Sequence, residues 1–192
     1  MTKVERGARH GLITDPPCRS QILEAWQAAG LESGKFFPHT EAGIRDPLAP
    51  DDIPSSQPPA DGRIASAGHD FAAILDDPGR NWTKHPVRAG QNLTVTWHYH
   101  AAHRTRRWNY FITREGWDPN TPLTRAQFES EPFYRVENSA QPYWSSDELI
   151  PPDPTMHTLP LPARRGYHAI LAVWEVADTG NAFYQVMDLS FT

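Results

Sequence analysis

The sequence predicts an all-β fold, a β-sandwich carrying a long loop-and-helix insertion near its N-terminus. Three observations point there. Residues 93–99 alternate apolar with polar side chains, residues 167–176 form a nearly continuous apolar run, and nineteen prolines punctuate the 192-residue chain. Alternation is the period of a half-buried strand, and an unbroken apolar run suits a strand covered on both faces. Proline-rich connections between short strands fit a sandwich better than a helical bundle.

The elements follow in order. Ser20 is placed to cap a short helix, with Ile22, Ala25, Trp26 and Ala29 on one face and Gly30 beyond its end. From Lys35 to Gly62 six well-spread prolines (Pro38, Pro47, Pro50, Pro54, Pro58 and Pro59) leave no room for regular structure. Phe71, Ile74 and Leu75 suggest one further helical turn before Asp77-Pro-Gly79. Leu93, Val95, Trp97 and Tyr99 then form the buried face of a first strand, and Trp108–Thr113 reads as a second. Tyr167–Val176 and Phe183–Phe191 read as the last two. The insertion is expected to pack against one end of the sandwich.

Composition excludes several functions. Eighteen Lys and Arg against 23 Asp and Glu give a net charge of −5, without the cationic face that nucleic-acid binding requires. No apolar run approaches the ~20 residues of a membrane-spanning helix. The first nine residues lack the apolar stretch of a secretory signal, and Cys18 is the single cysteine, so synthesis in a reducing cytoplasm is expected. Glycine-rich phosphate loops and nucleophile-elbow motifs are missing. Asp51-Asp52 and Asp76-Asp77 read as solvated turn residues, and Trp26, Trp82, Trp97 and Trp174 fit core positions. Nine histidines stand out, three of them within Trp97-His-Tyr-His-Ala-Ala-His103. Imidazole ligates copper, zinc, nickel or iron at neutral pH. Alternation puts His98 and His100 on one face, with His103 just past the strand end. The same pattern also describes polar residues on a solvated face, and spacing alone does not separate the two readings.

Longer motifs carry a resemblance. His10-Gly11 with Pro16 and Arg19, Ala60-Asp-Gly-Arg-Ile-Ala-Ser66, His100-Ala-Ala-His-Arg-Thr-Arg-Arg-Trp-Asn-Tyr-Phe-Ile-Thr113 continuing through Trp117-Asp-Pro119 to Pro122-Leu-Thr-Arg125, and Ile170–Gln185 follow one another in order. Together they resemble the bacterial lytic polysaccharide monooxygenases, also described as chitin-binding type 4 domains, from His10 to Thr192. The resemblance implies a fibronectin/immunoglobulin-like sandwich with a flat face for crystalline polysaccharide, chitin first among them. It implies one copper ion held by the α-amine and side chain of His10 and the side chain of His103. An external reductant and O2 or H2O2 would serve as co-substrates. By position, Phe183 takes the apolar axial place, Ala101 is its small neighbour, and Phe36, Asp178 and Asn181 fall on the substrate surface.

This chain departs from the family at three points. His10 follows Arg9, so residues 1–9 read as a leader or extension and 10–192 as the domain. Ala42 stands where a glutamate commonly lies near the copper, with Glu41 one residue early. Cys18 has no disulfide partner. Three readings follow: a monooxygenase acting outside the cell once His10 is N-terminal, a non-catalytic polysaccharide-binding module that keeps residues 1–9, and a metal-binding structural subunit without a glycan target. A monomer is expected unless the protein belongs to a larger export particle, and neither nucleic acid nor membrane is an expected partner.

Overall fold

A computed structural model describes residues 10–49 and 51–192; the proposed leader at 1–9 lies outside the described residues. Two sheets face each other. The smaller has the order β1-β4-β7, from strands β1 (Gly11–Asp15), β4 (Asn92–Tyr99) and β7 (Thr155–Pro160), all antiparallel. The larger has the order β2-β9-β8-β5-β6, from β2 (Glu32–Gly34), β9 (Asn181–Phe191), β8 (Gly166–Val176), β5 (Thr105–Ile112) and β6 (Tyr134–Glu137). A short β3 (His85–Val87) runs parallel to the end of β9. The sandwich expected from the sequence is therefore the fold, and its four long strands lie within two or three residues of their expected bounds.

Strand periodicity builds two cores. Ile170, Ala172, Trp174 and Val176 of β8 point between the sheets, onto Val95, Trp97 and Tyr99 of β4. The alternate residues Ala169, Leu171 and Val173 point outward, yet are equally buried. They are covered by Leu31, Phe37, Ile64, Ala72 and Leu75 from the N-terminal insertion. The insertion thus lies over the outer face of the larger sheet rather than against one end. That cover is why β8 reads as an unbroken apolar run.

Local expectations fail where side chains compete for cover. The first helix is α1 (Ala25–Ala29), preceded by a separate 3-10 turn at Arg19–Ile22 and capped at Glu24 rather than Ser20. Ser20 is instead buried and donates to Gln185 Oε1 at 2.6 Å. Of the expected face only Ala29 is buried, together with Ala28, whereas Ile22, Ala25 and Trp26 are exposed. The turn at Asp70–Asp76 is 3-10, burying Ala72 and Leu75 but leaving Phe71 and Ile74 outside. Asp52 is not solvated. It is buried against Lys35, whose Nζ lies 3.3 Å from the carboxylate and also donates to the Val176 carbonyl. No helix among the described residues is long and apolar enough to cross a membrane.

Candidate active site

Three chain segments meet at one end of the sandwich. His10 immediately precedes β1, His103 sits in the β4–β5 turn, and Asp178 lies in the β8–β9 hairpin. Backbone bonds fix the first two relative to each other: the His10 carbonyl accepts from the amides of His100 (2.8 Å) and Ala101 (3.4 Å). Gly11 is required here, because a Cβ on it would lie 2.6 Å from the Tyr99 ring and 2.7 Å from that of Trp174.

Both imidazoles pack over Phe183, with ring centroids 5.9 Å away for His10 and 5.8 Å for His103. Phe183 is wholly buried and stacks on Trp174 at 4.7 Å. The Trp174 indole donates to Thr105 Oγ1, whose hydroxyl donates to the His103 carbonyl, so the turn carrying His103 is tied to the core. His103 Nδ1 lies 3.3 Å from Asp178 Oδ1. That carboxylate accepts a hydrogen bond from Nδ1–H, which leaves Nε2 as the ring's lone-pair nitrogen. Burial alone would raise the Asp178 carboxyl. The hydrogen bond from His103, with the Arg104 guanidinium nearby, outweighs burial and holds it below its usual range.

His10 complements this arrangement. Its Nδ1 is covered and has no hydrogen-bond partner. Burial first, and then the neighbouring His103 and His100, lower its pKa, with Glu32 acting in the opposite sense; the neutral imidazole is favoured. The neutral ring is the form that ligates a metal. An unpartnered ring nitrogen beside a histidine with Nε2 free therefore fits a metal held by nitrogen. Among the described residues no three His, Cys, Asp or Glu side chains converge as a ligand cluster.

The remaining site residues separate. Asn181 begins β9 at the same rim and donates to Glu32 Oε1 at 2.7 Å. Phe36 does not offer an open ring. It is only 8 % exposed, lies at a left-handed φ of 74°, and gives its amide to Glu175 Oε1. Its ring lies near the cations of Lys35 (5.3 Å) and Arg107 (5.6 Å). The expected stacking surface at Phe36 is thus covered by a buried charge cluster. His98 is engaged elsewhere, 3.0 Å from Asp153, and the His100 side chain is exposed. Glu41 and Ala42 are both exposed. Sequence reasoning overlooked Glu32, which pairs across the sheet with Phe183 and places its carboxylate beside His10. No local pattern marks it, because its partner is about 150 residues away.

Known proteins share this architecture. The family described as "Lytic polysaccharide mono-oxygenase, cellulose-degrading" matches residues 10–189. A chitin binding domain from Burkholderia pseudomallei is 49 % identical, with a TM-score of 0.92 over 96 % of this chain and 100 % of its own. An AA10 lytic polysaccharide monooxygenase from Streptomyces lividans is 33 % identical, with a TM-score of 0.76 over 95 % of this chain and 100 % of its own. A Bacillus amyloliquefaciens protein solved in complex with Cu(I) is also 33 % identical, with a TM-score of 0.71 over the same shares. The GlcNAc-binding protein A of Vibrio cholerae is 41 % identical over 195 residues, covering 100 % of this chain but 36 % of the relative. That of Shewanella oneidensis is 35 % identical over 98 % of this chain and 37 % of its own length. The chain thus spans little more than a third of these curated relatives. Sandwich, paired imidazoles and a match over residues 10–189 agree: the chain belongs to the lytic polysaccharide mono-oxygenase family.

Proposed function

We propose that this protein is a copper-dependent oxidoreductase acting outside the cell on crystalline chitin, and that it becomes one when His10 is the first residue. The observation that carries the reading is the pair of imidazoles over Phe183, with His10 Nδ1 unpartnered and His103 Nε2 left free by Asp178. Those two nitrogens would hold the ion, and the α-amine of His10 would be the third donor. In the chain as written, the nitrogen of His10 is an amide bonded to Arg9 and a poor donor. Copper suits this donor set, since imidazole and amine nitrogens bind Cu(II) above the other divalent first-row metals. When bound and supplied with an external reductant and O2 or H2O2, it furnishes the oxidant for hydrogen abstraction at a glycosidic carbon.

The chain's own residues prepare that chemistry. Asp178 fixes the tautomer of His103, and burial keeps His10 neutral. Phe183 excludes water from one side of the pair, and Gly11 lets the imidazoles sit down on the aromatic stack. Asp178 and Asn181 are the substrate-facing polar groups, whereas Phe36 is withdrawn among Glu175, Lys35 and Arg107. The names of the relatives, GlcNAc-binding and chitin binding, favour chitin as the target.

Those names, with the Arg9–His10 peptide bond, also favour a second reading, a module that binds chitin without oxidising it. One comparison separates the two. Protein beginning at His10 and the full chain are titrated with Cu(II) by calorimetry and EPR, then incubated with β-chitin and ascorbate. The enzyme reading expects much tighter copper binding and oxidised oligosaccharides by mass spectrometry from the shorter form alone. Equal copper affinity in the two forms, or chitin binding without oxidised product from the shorter one, returns the binding module.

A further inference from the structure

Glu32 is the one acidic side chain among the described residues lining the groove, about 830 Å³ in volume, that holds His10. The copper chemistry proposed above gives it no task. Its partner across the sheet is Phe183, the ring on which both imidazoles rest. The backbone leading to it passes close to His10. A Cβ on Gly30 would lie 3.9 Å from the Cε1 of His10, and the Glu32 amide donates to the Gly30 carbonyl at 2.8 Å.

Glu32 is held at both ends. Its carbonyl is bonded to His69 Nε2 at 2.7 Å, and its Oε1 accepts from Asn181 Nδ2 at 2.7 Å. Asn181 is a neutral donor, so it fixes the carboxylate without cancelling its charge. The cation that lines the same groove, Arg63, is paired instead with Asp70 at 2.8 Å. The charge of Glu32 therefore acts on His10. Asp178, the carboxylate behind His103, differs in this respect. Its second oxygen lies 3.6 Å from the Arg104 guanidinium, which offsets its charge.

A fixed anion beside a nitrogen donor attracts whatever cation the donor holds, in proportion to the charge of that cation. Cu(II) carries twice the charge of Cu(I), so an anion here favours the oxidised ion and lowers its reduction potential. Glu32 is half-buried, and a half-buried charge is screened less by salt than an exposed one. We propose that Glu32 is an electrostatic positioning residue: clamped by Asn181, it biases the paired imidazoles towards Cu(II) from the His10 side. It thereby sets how strong an external one-electron reductant the protein requires. The proposal rests on the copper reading above.

The test uses protein beginning at His10, which retains every core residue described above. Glu32→Gln keeps an acceptor for Asn181 and removes only the charge. Cu(II) affinity by calorimetry should fall about tenfold, while Cu(I) affinity, read by competition with bicinchoninate, stays within a factor of about two. A tenfold loss confined to Cu(II) raises the reduction potential by about 59 mV. The melting temperature should not move. Glu41→Gln, the same change of charge at an exposed position, should leave affinity and potential as they are. Unchanged Cu(II) affinity and potential in Glu32→Gln overturn the proposal. So does an equal loss for both oxidation states, the mark of a structural role, or an equal shift in Glu41→Gln, the mark of net charge alone. The two proposals stay distinguishable. Unaltered protein that binds no Cu(II) removes the copper reading and this one with it, whereas tight Cu(II) binding that Glu32→Gln leaves untouched removes this one alone.

Discussion

Asp178 sits behind His103 as a positioning residue, and its contribution can be read directly. With Asp178→Ala the ring of His103 loses its fixed tautomer, so Cu(II) affinity of protein beginning at His10 should fall by roughly 10–100-fold. His103→Ala should abolish most of that affinity. His98→Ala, whose ring pairs with Asp153, should leave it within a factor of about two on calorimetric titration, the scale of a change away from a buried partner. Gly11→Ala tests the close approach of the first strand to Tyr99 and Trp174. Overpacking there should cost about 1–3 kcal/mol in urea melts. His157 governs acid behaviour in the inter-sheet core. Burial pushes its pKa down to about 4 from the ordinary 6.5, and its Nδ1 accepts from the Tyr110 hydroxyl at 2.7 Å. The unfolded chain therefore binds a proton between pH 6.5 and 4 that the folded chain does not. Stability should be fully present above pH 6.5 and decline as pH falls towards 4. His157→Gln should flatten that decline in denaturant melts run across the same range.

At the scale of elements, β8 and the insertion depend on each other. Leu171 points into the layer between β8 and the insertion, so Leu171→Ala should destabilise the whole domain by about 2–5 kcal/mol. Among its described residues the loop from Lys35 to Gly62 has no strand or helix to hold it, and ion pairs take that role. Lys35 pairs with Asp52 and bonds the Val176 carbonyl, while Asp46 pairs with Arg106. Burial lowers the pKa of Lys35 while Asp52 opposes the shift, so this ammonium stays inside only because its partner is there. Lys35→Met strands a buried carboxylate and should cost about 3–5 kcal/mol, read as a lower melting temperature and faster proteolysis within the loop. Proline spacing in the sequence announced an irregular loop but not its anchors. Lys35 and Asp52 look like surface residues in any local window, and only the packing of the loop over β8 brings them together.

For the whole molecule, the net charge of −5 and the chitin contact proposed above set the expected response to salt. Binding to β-chitin through stacking and neutral hydrogen bonds should change little between low and high ionic strength, whereas a charge-driven complex would weaken as the Debye length shrinks. A pull-down across a sodium chloride series checks this. The sequence by itself determined the sandwich, because period-2 alternation in residues 93–99 follows from backbone geometry, and the run at 167–176 marks a strand covered on both faces. It also determined His10 and His103 as the pair to watch, through motifs that a resemblance could carry. Tertiary structure alone decided what surrounds them. Glu32 reaches His10 because β2 pairs with β9, Phe36 is withdrawn because Glu175 and Arg107 meet beneath it, and Trp26 is exposed because Ala28 and Ala29 take the inward face of a short helix. Each of these rests on which distant segments become neighbours. Local patterning fixes which side of an element is apolar, but the burial of a particular side chain depends on the partner that covers it.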